Sequence, residues 1–306
     1  MAINHLLDRF ELLKNLRRSQ PENVLVELGN FASAALSILR VQAIPHTISW
    51  EGAGDKRYKI FTDGSDNSHW SRAVNVDLFL DDPNRFDLAY ARLVNQVVTD
   101  RGQLQLQGLT NAEINIPFYT AIMAFAVVMD LYSPSRGMQG TFFEMMVGPF
   151  ISLLTDRVET GDVVLAVPGS EEPEVIKVDL TFDDPAGGVS LAVPTKISTR
   201  ERISQAFVHA RILETARPGR YRTALCVVNE NNAYSYKGMP KGPSSIYLRD
   251  TLVPRTIALY QRYVAKIDGL YYLDPPQQYI AKVNPALPPV KPFGMLALGD
   301  LTTLLT

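Results

Sequence analysis

The stretch from Ile116 to Leu131 is apolar on nearly every side of a helix, and it constrains the fold more than any other segment. An amphipathic helix needs one neighbour, whereas a helix with no polar face needs cover all round. The run is about 16 residues long and stops at Ser133-Pro134-Ser135-Arg136. That falls short of the roughly 20 residues a bilayer span requires, so no transmembrane helix is expected and the segment is predicted to be a buried core helix. A chain of 306 residues with 46% hydrophobic and 20% charged side chains has ample material to bury it.

Helices are predicted over 3–17, 21–40, 85–97 and Gln139–Thr155, with Pro21 in a first turn. The opening MAINHLLDRFELLKNLRRSQ reads as an amphipathic helix and not as a secretion signal. Strands are predicted at Val41–Ile44, Tyr58–Phe61, Ala73–Leu80, Asp162–Val167, Glu174–Phe182, Val189–Lys196, Arg222–Asn229 and Ser245–Leu252. Further helices are expected over Thr199–Ala216, capped by Ser198 or Thr199, and over Tyr260–Leu270. Helices alternating with strands in this way indicate an α/β chain with a mixed sheet. The expected organisation is a single compact chain, 1–306, with helical and β additions over 1–110 and a core over 111–272. A proline-rich tail over 273–306 is expected to lie extended on the surface. A single cysteine, Cys226, excludes an intrachain disulfide and suits a reducing cytoplasm. The net charge of -2 does not advertise a polyanionic partner, although a balanced chain can still carry a local basic cleft.

Candidate chemistry lies in two neighbouring strands. Asp179 sits in an apolar β run between Val178 and Leu180, where a carboxylate is costly unless it is paired or holds a metal. The turn Asp183-Asp184-Pro185-Ala186-Gly187-Gly188 predicts an antiparallel return, which would bring Lys196 to the same end of the hairpin as Asp179. Glu144, on the preceding helix, can reach the same place. Carboxylates suit Mg²⁺, and a metal beside a lysine suits hydrolysis of a phosphodiester. The plain alternative is a structural Asp–Lys pair. After Lys196, Arg200-Glu201-Arg202 opens a helix. Arginine can take guanine O6 and N7 together, and glutamate can accept from cytosine N4. The plain alternative there is a solvated first turn, yet two arginines oppose the helix dipole.

The string Val193-Pro194-Thr195-Lys196-Ile197-Ser198-Thr199-Arg200-Glu201-Arg202-Ile203-Ser204-Gln205 resembles the signature of type II restriction endonucleases that read CCGG, CCNGG and related sites. The upstream Ser135-Arg136, Gly140-Thr141 and Phe143-Glu144 are similar to the same group's auxiliary helix. The likeness covers roughly 130–255. It implies a PD-(D/E)XK restriction-endonuclease-like core, with a central mixed sheet flanked by helices. By the same resemblance, Asp179 is the central metal ligand, Glu144 the auxiliary carboxylate and second ligand, and Lys196 the catalytic lysine. Arg200, Glu201 and Arg202 then read inner G·C pairs. The implied enzyme is a Mg²⁺-dependent, DNA-binding hydrolase of a restriction system that cuts double-stranded DNA at a short GC-centred palindrome. It would act as a homodimer or a pair of dimers, with no membrane partner.

Two positions depart from the group's pattern. Pro194 stands two residues before the lysine, where many nucleases of this superfamily carry an acid. His209 stands thirteen residues after it, where the group places an acid on the recognition helix. Either His209 takes that fourth role, or Glu144 substitutes for it, or the site is weakened. The rival readings are therefore a repair-type or modified-DNA nuclease of the same fold, and a DNA-binding protein with a decayed site. Trp70 in its polar company reads first as a half-buried packing residue. The loop Tyr234–Gly242 combines Lys237, Lys241, Tyr234 and Tyr236 in a manner compatible with phosphate contact or with plain solvation. His5 and His46 show no zinc spacing.

Overall fold

In the computed structural model, Thr110 starts the apolar helix with a reciprocal cap. Its hydroxyl accepts from the Glu113 amide at 3.3 Å, and Glu113 Oε2 accepts from the Thr110 amide at 2.8 Å. The structure describes residues 3–52, 55–64, 69–133, 138–166, 169, 172–200, 203–235, 242, 245–281 and 284–306.

The first part of the chain runs α1 (Ile3–Leu16), α2 (Pro21–Gln42), β1 (Ile44–Trp50), β2 (Tyr58–Thr62), β3 (Val74–Asn75) and α3 (Pro83–Thr99). The centre runs α4 (Asn111–Tyr132), α5 (Met138–Thr155), β4 (Glu159–Leu165), β5 (Glu174–Phe182), β6 (Ser190–Ala192), β7 (Thr195–Lys196) and α6 (Ile203–Ala216). There follow β8 (Tyr221–Val227), β9 (Asn231–Ser235), β10 (Ile246–Asp250), α7 (Pro254–Tyr263), β11 (Gly269–Tyr272), α8 (Gln277–Ala281), β12 (Val290–Pro292) and α9 (Leu301–Leu305).

Helices α4 and α5 form the centre of the main core. Phe125 and Phe142 stack at 4.4 Å between ring centroids, and Phe118 meets Phe150 edge-on at 4.8 Å. All four are buried, and truncating one to alanine would cost about 3–5 kcal/mol. By length and mean hydropathy both α2 and α4 could cross a membrane, contrary to the expectation that no segment could. Burial assigns α4 elsewhere: 89% of its apolar window is inside the protein, and α2 lies against it with half of its own window covered.

The main sheet orders β12-β11-β8-β6-β5-β4, with β7 also pairing β8. Strands β6, β7, β8, β11 and β12 run parallel, while β5 and β4 are antiparallel, so the sheet is mixed as expected. A second sheet, β3-β2-β1-β10-β9, joins the N-terminal additions to the chain beyond β8. The junction rests on one carboxylate. Asp274 is 1% exposed and accepts from Lys56 at 2.6 Å, Tyr58 at 3.0 Å, Asn75 at 3.0 Å and Asn231 at 3.3 Å.

Three local expectations change. The predicted strand Val189–Lys196 breaks into β6 and β7 at Val193-Pro194, because Pro194 has no amide to continue the β5–β6 ladder. Its carbonyl still accepts from the Cys226 amide at 2.9 Å, so pairing resumes with β8. The predicted helix Tyr260–Leu270 ends at Tyr263, and Gly269–Tyr272 becomes a buried parallel strand beside β8. The strand expected over Ala73–Leu80 shrinks to Val74–Asn75.

The tail expected to lie extended on the surface is instead built into the core. Strand β12 takes the sheet edge, where Pro292 is tolerated. Phe293, Leu296, Ala297 and Leu301 beyond it are fully buried in the main core. Proline content marked the entry to this segment and hid the apolar spacing that follows.

Candidate active site

Strand β5 turns Asp179 out of the apolar ladder toward β7. Asp179 Oδ2 accepts from Lys196 Nζ at 2.6 Å and from the Thr195 amide at 2.9 Å. Both side chains are largely covered, Lys196 being 14% and Asp179 19% exposed. The break at Pro194 sets this geometry, because the chain leaves β6 and presents the Thr195 amide to the carboxylate instead of to the sheet. Both donors act on one oxygen, Oδ2.

Glu144 approaches from α5. Burial, then the neighbouring Asp179 charge, pushes its carboxyl up to about 7, against the opposing influence of Arg17 and Lys196. His209, on α6, is half-buried and feels both Asp179 and Lys196; burial lowers its pKa and favours the neutral ring. The structure therefore brings Glu144, Asp179, Lys196 and His209 into one electrostatic neighbourhood.

Among the described residues no group of three or more His, Cys, Asp or Glu side chains is placed to hold a metal. The donor set still fits Mg²⁺. That ion is commonly held by one or two carboxylates, with water and substrate phosphate filling the remaining positions. Asp179 and Glu144 would supply two such carboxylates, and the Asp179 charge that helps raise the Glu144 carboxyl is one a cation would offset.

The segment after Lys196 is clamped from below. Thr199 is fully buried, and its amide and hydroxyl donate to Glu230, the hydroxyl at 2.5 Å and the amide at 2.9 Å to Oε1. The Tyr272 hydroxyl donates to the same oxygen at 2.8 Å. Thr199 thus ties the loop to the sheet; the described turns of α6 begin at Ile203, and the predicted cap falls on a junction that lies outside the described residues. Arg200 follows directly, exposed, and lines a cleft of about 630 Å³ together with Lys196, Ser198, Trp70, Asn229 and Asn232. Glu201 and Arg202 lie outside the described residues, as do Ser135, Arg136 and residues 236–241 of the loop Tyr234–Gly242.

Trp70 both packs against the second sheet's core and faces this cleft. His46 bonds Thr62 at 3.0 Å. Sequence reasoning missed Arg17, Glu159 and Glu230. A basic pair at the end of a helix is an ordinary dipole complement, and a glutamate at a strand end carries no local signal of burial.

The mixed sheet flanked by helices, with the covered Asp179–Lys196 pair of β5 and β7 beside a cleft, is a restriction-endonuclease-like α/β architecture. The type IIP restriction endonuclease Kpn2I superposes on the chain with a TM-score of 0.71, over 94% of this chain and 96% of that one, at 23% identity. At that identity the likeness establishes the fold, and it extends through the N-terminal additions and the tail. A complex of the restriction endonuclease PspGI with substrate DNA is more distant, with a TM-score of 0.41 over 72% of this chain and 92% of that one, at 13% identity. No protein-family model matches the chain, and no curated protein does.

Proposed function

We propose that the chain is a Mg²⁺-dependent type II restriction endonuclease that cuts double-stranded DNA at a short GC-centred palindrome. The observation that carries this reading is the Asp179–Lys196 contact at the root of a cleft whose wall continues, four residues later, into Arg200. A purely structural ion pair would need neither the cleft nor the carboxylate of Glu144 beside it.

Each residue has a distinct task in this reading. Asp179 and Glu144 would hold the metal, which when bound supplies charge neutralisation at the scissile phosphate. Lys196, fixed by Asp179, orients the attacking water and faces the charge that grows on the phosphate oxygens. His209, half-buried and disposed to be neutral, accepts a hydrogen bond at the same site. Arg200, with Glu201 and Arg202, reads G·C pairs through their major-groove edges. A palindrome is matched by a two-fold homodimer, either alone or as two paired dimers.

The test is digestion of phage DNA with Mg²⁺. Discrete bands with ends of one sequence support the reading. A smear would indicate a repair-type nuclease, and duplex binding without cutting would indicate a decayed site. Light scattering with and without duplex reads the assembly, and a monomer under both conditions would count against the dimer.

A further inference from the structure

The N-terminal helical hairpin reaches the site from a direction unrelated to the nuclease strands. Helix α1 is fastened by Phe10, fully buried, which stacks on Phe142 at 5.8 Å and lies 5.4 Å from Phe125. Phe142 stands two residues before Glu144 on α5, so the hairpin docks on the helix that carries the auxiliary carboxylate. Just beyond the end of α1, Arg17 places Nη2 2.8 Å from Glu159 Oε1 and Nη1 4.0 Å from Glu144 Oε2.

Glu159 is an unusual partner. It is 1% exposed at the start of β4, and burial raises its carboxyl against the opposing pull of Arg17 and Arg18. Gly148 lies one turn beyond Glu144 on α5, hence on the same face. A Cβ at Gly148 would fall 2.2 Å from Glu159 Oε2, so the carboxylate is seated against bare helix backbone. Gly161 makes similar room, since a Cβ there would come within 3.2 Å of Arg18 Nη2. Two glycines thus clear the space in which a buried acid and two arginines meet beside the site.

We infer that Arg17, anchored by the buried Glu159, is a positioning residue that holds the Glu144 carboxylate in place beside Asp179. The inference rests on the proposed metal-dependent reading of that site. A planar guanidinium can face two carboxylates at once, whereas a lysine ammonium is a compact point charge on a flexible stem. Without Arg17, Glu144 and Glu159 would repel each other along one face of α5, and Glu144 would lose the fixed place from which it serves a cation.

The experiment compares wild type with Arg17→Lys, Arg17→Gln and Glu159→Gln in the full chain. Mn²⁺ affinity is read by electron paramagnetic resonance, and steady-state cleavage is read with Mg²⁺. Arg17→Lys keeps a cation for Glu159 and is the variant chosen to stay folded. It should weaken Mn²⁺ binding about tenfold and raise the metal concentration for half-maximal cleavage to match, with KM for DNA unchanged. Glu159→Gln should produce the same shift, and neither change should weaken metal binding further in a Glu144→Ala background. Unaltered Mn²⁺ affinity in folded Arg17→Lys and Arg17→Gln would overturn the positioning role while leaving the nuclease reading intact. A wild type that binds no Mn²⁺ would overturn both.

Discussion

Lys196 Nζ lies 2.6 Å from Asp179 Oδ2, and the Thr195 amide donates to that same oxygen, so one carboxylate oxygen fixes a lysine and a strand end together. A pair so thoroughly covered is not a surface ion pair of marginal worth. Asp179→Ala would leave the Lys196 ammonium covered and unpaired, whereas Asp179→Asn keeps shape and an acceptor. We predict that Asp179→Asn and Lys196→Ala each lower cleavage by at least about 10²–10³-fold. Thermal melts and duplex binding should stay near wild type for Asp179→Asn. Near-normal cutting by either variant would place the chemistry elsewhere.

In the proposed reading, His209 stands where an acid would give the metal another oxygen ligand. Its ring is half-buried and lies within electrostatic reach of Asp179 and Lys196. His209→Glu is predicted to lower the Mg²⁺ concentration for half-maximal cleavage by about tenfold. His209→Ala should raise it. No change in either variant, measured over a full metal titration, would remove this residue from the site.

Arg200 stands four residues past Lys196, no more than roughly 13 Å away along even an extended chain. In the proposed reading, base readout and catalysis are therefore mechanically linked. Arg200→Ala should cost about 1–3 kcal/mol in binding a GC-centred palindrome and little in binding a scrambled duplex at the same salt. Equal losses on both duplexes would mean that Arg200 grips the backbone.

Glu230 underlies the loop that carries Arg200, and burial lifts its carboxyl to about 7 despite the donors from Thr199 and Tyr272. The sign follows from the raised value: the protonated form is favoured on folding. The stabilisation from this group is full below its unfolded pKa near 4.5 and is lost as pH rises through about 7. Glu230→Gln cannot ionise, so its melting temperature should gain on that of wild type between those two pH values. A constant difference between the two curves across that window would refute the assignment.

Some elements were legible in the chain alone because their signals are local. The all-round apolar face of α4 and the turn at Asp183–Gly188 depend on near neighbours, and they appear where the pattern puts them. The meeting of Asp179 with Lys196 was readable for the same reason, since one short turn returns the chain from β5 and Lys196 follows a few residues later on β7. What only the tertiary structure decided involves partners far apart in sequence. Glu159 and Arg17 are separated by the whole of α2 to α5, and nothing near either residue announces the other. Asp274 gathers Lys56, Tyr58, Asn75 and Asn231 from three distant segments, and the prolines of the tail concealed a buried Phe293 and Leu296. The spacing of side chains along a segment sets its own conformation. Which charge a buried carboxylate will face is set by the chain's return from elsewhere, because desolvation makes an unpaired charge too costly and selects the packing that supplies a partner.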